Sequence, residues 1–139
     1  MTFPDGAGLL DTSTVINLPR LRDVAVLPAL PLISTITLAE LSVGPLVAAT
    51  ERERAARQAV LQQAEADFDP LPFDAAAARA FGRVAADLRQ SGCKPQARAY
   101  DAMIAAVALS RGLPVHTSNP DDFQGIDGLA VIAVPPPPA

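Results

Sequence analysis

Short apolar runs alternating with helix-forming stretches restrict this chain more than any other feature. Gly8 to Leu10 is apolar and ends at Asp11, and Leu32-Ile33-Ser34-Thr35-Ile36 is rich in β-branched residues. Leu113-Pro114-Val115-His116-Thr117 repeats that character, and Leu129 to Val134 supplies a fourth run. Runs this short suit strands buried on both faces, which read as continuous hydrophobic stretches. Between them lie helix signals. A short helical piece is expected from Ser13 to Leu18, before Pro19. Thr37 with Glu40 three positions on has the form of a capping box opening a helix, and Thr50 with Glu53 repeats it before a helix to about Ala66. Leu71 to Phe73 reads as a brief extended piece. Asp74 is a plausible N-cap for a helix to Gln90, closed by Ser91-Gly92, and Ala99 to Arg111 is a helix stopped by Gly112. Asn119 to Phe123 reads as a loop or helical turn. Strands separated by helices predict an α/β sandwich with a mainly parallel sheet.

In open parallel sheets, ligands bind at the carboxyl ends of the strands. Asp11 terminates the first run, Glu40 lies just past the second, and Asp121 and Asp122 follow the third, so these acids are expected on one edge. Asp101 begins a helical stripe with Ile104, Ala105 and Ala108, and a carboxylate in line with a core-facing stripe is costly unless something pairs with it. A helix N-terminus supplies part of that pairing. Four carboxylates gathered together would also resist ionisation, a conflict that a hard divalent cation with oxygen ligands removes. Such a centre suits phosphodiester hydrolysis, in which the metal polarises a phosphoryl oxygen and acidifies a water. No nucleophilic triad competes: His116 is the only histidine, and Cys93 has no obvious partner.

Composition bounds this reading. The 139 residues fit one domain, expected over 1–134, followed by an extended proline-rich tail at 135–139. With a single cysteine no internal disulfide forms, and no apolar run reaches the roughly 18 residues that a membrane span requires. The N-terminus lacks the basic start and apolar stretch of a signal peptide, so a cytoplasmic protein is expected. A net charge of −4 argues against a protein that simply coats nucleic acid. The cations are ten arginines against one lysine, Lys94; arginine suits bidentate grip on phosphate, although a GC-rich genome accounts for most of the bias.

Taken in order, Leu9-Leu10-Asp11-Thr12-Ser13, Thr37-Leu38-Ala39-Glu40-Leu41, Tyr100-Asp101-Ala102-Met103-Ile104-Ala105-Ala106, Thr117-Ser118-Asn119-Pro120-Asp121-Asp122-Phe123 and Gly128-Leu129 resemble the PIN-domain ribonucleases, and within them the VapC-type toxins of toxin–antitoxin pairs. The resemblance spans Gly8 to Val134. It implies a three-layer α/β/α sandwich and an endoribonuclease dependent on Mg²⁺ or Mn²⁺, commonly dimeric and silenced by a VapB-type antitoxin. Asp11, Glu40 and Asp101 match the family's metal-binding acids, and Asp122 most naturally matches the fourth. Asp121 and Asn119 are rivals for that place, and Ser13 matches a supporting hydroxyl. The approach Gly92 to Arg98 departs from the family in lacking a short glycine-rich segment.

Blander roles compete at each position. Glu40 as a capping glutamate, Asp101 as a dipole partner and Asp11 as a strand-end turn residue are the alternatives. His116 reads as a packed core residue and Cys93 as a small loop residue. Arg52, Arg54 and Arg57 read as a solvated helix face with local ion pairs, and RNA or antitoxin contact is the minority reading there, as it is for Arg79, Arg83, Arg89, Lys94 and Arg98. A receiver-like signalling domain that holds Mg²⁺ is the alternative function, but it needs a lysine after a late strand, whereas Lys94 precedes the Asp101 helix. A partner-binding PIN scaffold without catalysis is another. A phosphatase of the Asp-x-Asp type fails because position 13 is serine.

Overall fold

The computed structural model describes residues 3–93 and 98–138. Strand β1 (Ala7–Leu10) is buried along its whole length, and its side chains alternate between two hydrophobic clusters. Leu9 points into the larger one, with Val115, Ala80, Val84, Leu88 and Ile104, while Leu10 joins Val15, Ile33, Leu41 and Ala64 on the other face. The sheet therefore lies between two helical layers. Helices α4 (Ala75–Gln90) and α5 (Ala99–Arg111) cover one face. Helices α1 (Thr12–Asn17), α2 (Thr35–Val43) and α3 (Glu51–Asp67) supply the second cluster.

Four parallel strands run in the order β2-β1-β3-β4, where β2 is Leu30–Leu32, β3 is Val115–Thr117 and β4 is Val131–Ala133. Pro31 sits in β2 because an edge strand tolerates a residue with no N–H. Gly8 faces Pro31 in register, and a Cβ there would meet the His116 ring at 2.5 Å, so that imidazole packs against bare backbone. At the end of α5, Gly112 turns left-handed (φ 67°) and the Leu113 N–H closes on the Ala108 carbonyl.

The expected second strand is displaced. Leu32 to Ile36 does not form a strand: β2 ends at Leu32, and α2 begins at Thr35. Ser34, extended at φ −104° and ψ 164°, is the N-cap, its hydroxyl accepting the Thr37 N–H. Thr37 is thus inside the helix rather than opening it, and the Thr37–Glu40 capping box is not formed. The β-branched run misleads because a capping hydroxyl decides where the helix starts, and three β-branched residues in its first turn cost little beside that. The extended backbone before the helix is used only in a parallel bridge from Ser34 to Leu71, the brief extended piece expected there. The other caps stand as expected: Thr50 and Asp74 accept the N–H groups of Glu53 and Ala77.

No helix of the described residues is long and apolar enough to cross a membrane. The loop positions Lys94 to Ala97 lie outside the described residues.

Candidate active site

Asp11 is the first residue past β1 and the N-cap of α1. It is 3 % exposed, and such burial of a carboxylate demands donors. Thr14 provides two, its N–H at 3.1 Å and its hydroxyl at 2.7 Å, both to Oδ1. Ser13 Oγ stands 3.1 Å from both carboxylate oxygens. Thr117, at the end of the neighbouring strand β3, donates to Oδ2 at 2.6 Å. The adjacency of β1 and β3 therefore fixes Asp11 from a point 106 residues away.

Glu40 lies on the second turn of α2, half-buried, and Thr12 Oγ1 donates to its Oε1 at 2.6 Å. Thr12 has one proton, spent on Glu40, so its 3.1 Å contact with Thr37 Oγ1 places Thr37 as donor. Burial holds the Glu40 carboxyl above its ordinary value; the Thr12 bond opposes this and the Asp11 charge adds to it.

Asp101, in the first turn of α5, is pushed up to about 6. Burial is the largest cause, followed by the charges of Asp122, Asp11 and Glu40, with Arg98 pulling the other way. The charges of the other three acids are thus all felt at Asp101. Asp122 reaches it from the 3-10 turn Pro120–Phe123, anchored by the buried Phe123 ring. Asp121 in the same turn is exposed, its carboxylate accepting from Gln124, and its charge is not among those felt at Asp101. Asn119 is exposed as well, its backbone N–H donating to Thr117 Oγ1. Among the described residues no donor stands within hydrogen-bonding distance of the Asp101 or Asp122 carboxylates.

The site therefore has two halves. Asp11 and Glu40 are held by hydroxyls, whereas the Asp101 and Asp122 carboxylates take no hydrogen bond from the described residues. Among the described residues no three His, Cys, Asp or Glu side chains already stand close enough to close on one ion. The donor chemistry, carboxylate and hydroxyl oxygen throughout, fits a hard divalent cation.

Three hydroxyls essential to this arrangement, Thr12, Thr14 and Thr117, are missed by sequence reasoning. The only signal is the run Thr12-Ser13-Thr14 directly after the first acid, a pattern equally common in turns. His116 is buried as a core residue: its carbonyl accepts the Asp11 N–H, burial pushes its imidazole pKa down, and Nδ1 has no partner among the described residues. Cys93 is a half-buried loop residue packed on the larger cluster. Arg54 and Arg57 pair with Glu51 and Glu53 along α3, the solvated face expected.

Beside Glu40 a groove of about 570 Å³ opens between α1, α2 and α3, lined by Thr12, Ile16, Leu41, Arg57 and Val60 among others. Its surroundings carry the exposed apolar side chains Ile16, Val43, Leu46 and Val47. A cavity of about 550 Å³, lined by Gly6, Pro114 and His116, holds none of the four acids.

The profile of the PIN domain matches residues 9–129. Ribonuclease VapC5 of Mycobacterium tuberculosis is 43% identical over 136 residues, covering 96% of this chain and 98% of that protein. The tRNA(fMet)-specific endonuclease VapC of Shigella flexneri is 38% identical over 98 residues, 70% of each chain. Among solved structures, VapBC-5 of M. tuberculosis superposes with a TM-score of 0.79 at 44% identity, covering 93% of this chain and 99% of that one. The DNA-bound VapBC of Salmonella typhimurium superposes at 0.71 with 32% identity, covering 90% and 96%.

Proposed function

From the premise that this chain belongs to the PIN-domain family, alongside its VapC ribonucleases, we propose that it is a metal-dependent endoribonuclease acting as the toxin of a VapBC-type pair. The observation that carries the chemistry is the state of Asp101: a partly buried carboxyl lifted to about 6 by burial and by the charges of three other acids, with no donor among the described residues to satisfy it. A protein that left this arrangement uncompensated would spend stability on nothing.

Asp11, Glu40, Asp101 and Asp122 would hold Mg²⁺ or Mn²⁺. When bound, such an ion polarises a phosphoryl oxygen and makes water a better nucleophile at neutral pH. The chain's own residues supply the frame. Ser13, Thr14 and Thr117 lock the Asp11 oxygens in one orientation, and Thr12 fixes Glu40, so these two do not reorganise when substrate arrives. Asp101 and Asp122 close from the other side. Water attacks the phosphorus, one ribose oxygen leaves, and no side chain becomes covalently attached. Asn119, exposed beside Thr117, would orient a water.

The likeness to VapBC complexes supports a VapB-type antitoxin as partner, and the apolar groove beside Glu40 would receive one of its segments, blocking the acids from the side. A homodimer and a cytoplasmic location complete the reading. Incubation of a mixed RNA pool with Mg²⁺ or Mn²⁺ tests it. Wild type should cut, EDTA should stop it, and Asp11→Asn and Asp101→Asn should be inert; equal cleavage by all three proteins would sink the metal site. Induced expression without an antitoxin should arrest growth, with relief by Glu40→Gln; harmless wild-type expression would remove the toxin role.

A further inference from the structure

Arg98 is the residue immediately before α5, and its side chain makes no cap bond to that helix. Nη1 instead donates to the Asp121 carbonyl at 3.0 Å, tying the start of α5 to the turn that carries Asp122. It lies three residues from Asp101 and its charge is felt there. Yet it forms no ion pair: the pairs among the described residues are Arg54–Glu51, Arg57–Glu53 and Arg111–Asp74. An arginine whose charge is felt at Asp101 but which forms no ion pair among the described residues is not explained by charge balance alone. A guanidinium carries five N–H donors in a planar fork, and the carbonyl occupies one nitrogen, so the fork is aimed by its backbone contact and keeps donors to spare. The two unbridged oxygens of a phosphodiester match such a fork. A polyanion approaching an acidic pocket on a chain of net charge −4 also needs a fixed cation at the entrance.

We propose that Arg98 grips a backbone phosphate of the RNA strand at the edge of the acid pocket, held in place by the Asp121 carbonyl. The inference rests on the ribonuclease reading and names a substrate contact of that same site. It separates Arg98 from the exposed arginines of α4, such as Arg89, which have no backbone tether toward the pocket.

The test is binding rather than turnover. Fluorescence anisotropy of a labelled single-stranded RNA oligonucleotide, in EDTA and at several salt concentrations, gives both Kd and its salt slope for the full chain. Arg98→Ala should raise Kd about tenfold and shrink the slope of log K against log salt by about 0.7, the share of one phosphate contact on a single strand. Arg98→Lys, which keeps the charge and a donor for the carbonyl, should keep the slope and recover only part of the affinity. Arg89→Ala should change neither quantity. Wild-type Kd and slope in Arg98→Ala would overturn the proposal, as would weaker binding with an unaltered slope. Should Arg98→Ala not fold by thermal melting, Arg98→Lys decides: a several-fold weaker Kd supports the fork, and a wild-type Kd overturns it. Wild type that binds RNA but never cuts it with Mg²⁺ or Mn²⁺ would remove the nuclease reading while leaving the slope to judge Arg98. Wild type that does not bind removes both.

Discussion

At the residue scale the acids differ in how they are supported, and that difference can be measured. Asp101 has a folded pKa of about 6, above the 3.8 of an unperturbed aspartate. Between those values the folded chain holds a proton that the unfolded chain has released, so stability falls as pH rises through the window. In EDTA at pH 7, Asp101→Asn should therefore be more stable than wild type, on the order of 1 kcal/mol once solvent screening of a partly exposed group is allowed for. The gain should vanish below about pH 4, and urea titrations at the two pH values would show it. Thr117→Val removes a 2.6 Å bond to Asp11 with little change of shape. RNA cleavage should drop about 10- to 100-fold with the fold intact by circular dichroism. Asp11, Glu40 and Asp122 were legible as charges just past expected strands, and Asp101 as a carboxylate heading an apolar helical stripe. Thr14 and Thr117 were not, because a hydroxyl at a turn or strand end is ordinary until the chain brings it to a carboxylate.

At the element scale the helices were easier to read than the strands. The α3, α4 and α5 boundaries follow from Thr50, Asp74 and Gly112, each a local signal with a local cause. The second strand was misplaced because β-branched composition describes a preference, whereas Ser34 satisfies a specific helix N–H. Removing that cap by Ser34→Ala should cost about 1 kcal/mol in chemical denaturation, and because α2 carries Glu40, it should lower cleavage as well. Close packing of β1 against β3 makes its own prediction. Gly8→Ala would drive a methyl into the His116 ring and should destabilise by about 1–3 kcal/mol, with part recovered in the double variant carrying His116→Ala.

At the scale of the whole molecule, a cation held by the four acids, as proposed, would be a cross-link between separate parts of the chain. Mg²⁺ at about 100 times its Kd should stabilise wild type by about 2.7 kcal/mol, seen as a rise of several degrees in Tm. Asp101→Asn should show little of that rise, and a wild-type Tm indifferent to Mg²⁺ would count against resident metal. The same long reach has a temporal side. β1 pairs with β3 across most of the chain, and Asp11 takes its shortest bond from Thr117. A nascent polypeptide leaving the ribosome exposes Asp11 well before Asp122, and β1 lacks its β3 neighbour until Val115 to Thr117 emerges. Parallel pairing of this kind closes late and slowly. The set of four acids is thus incomplete until the segment carrying Asp122 is free, and on the proposed function a growing chain would be harmless to RNA before then.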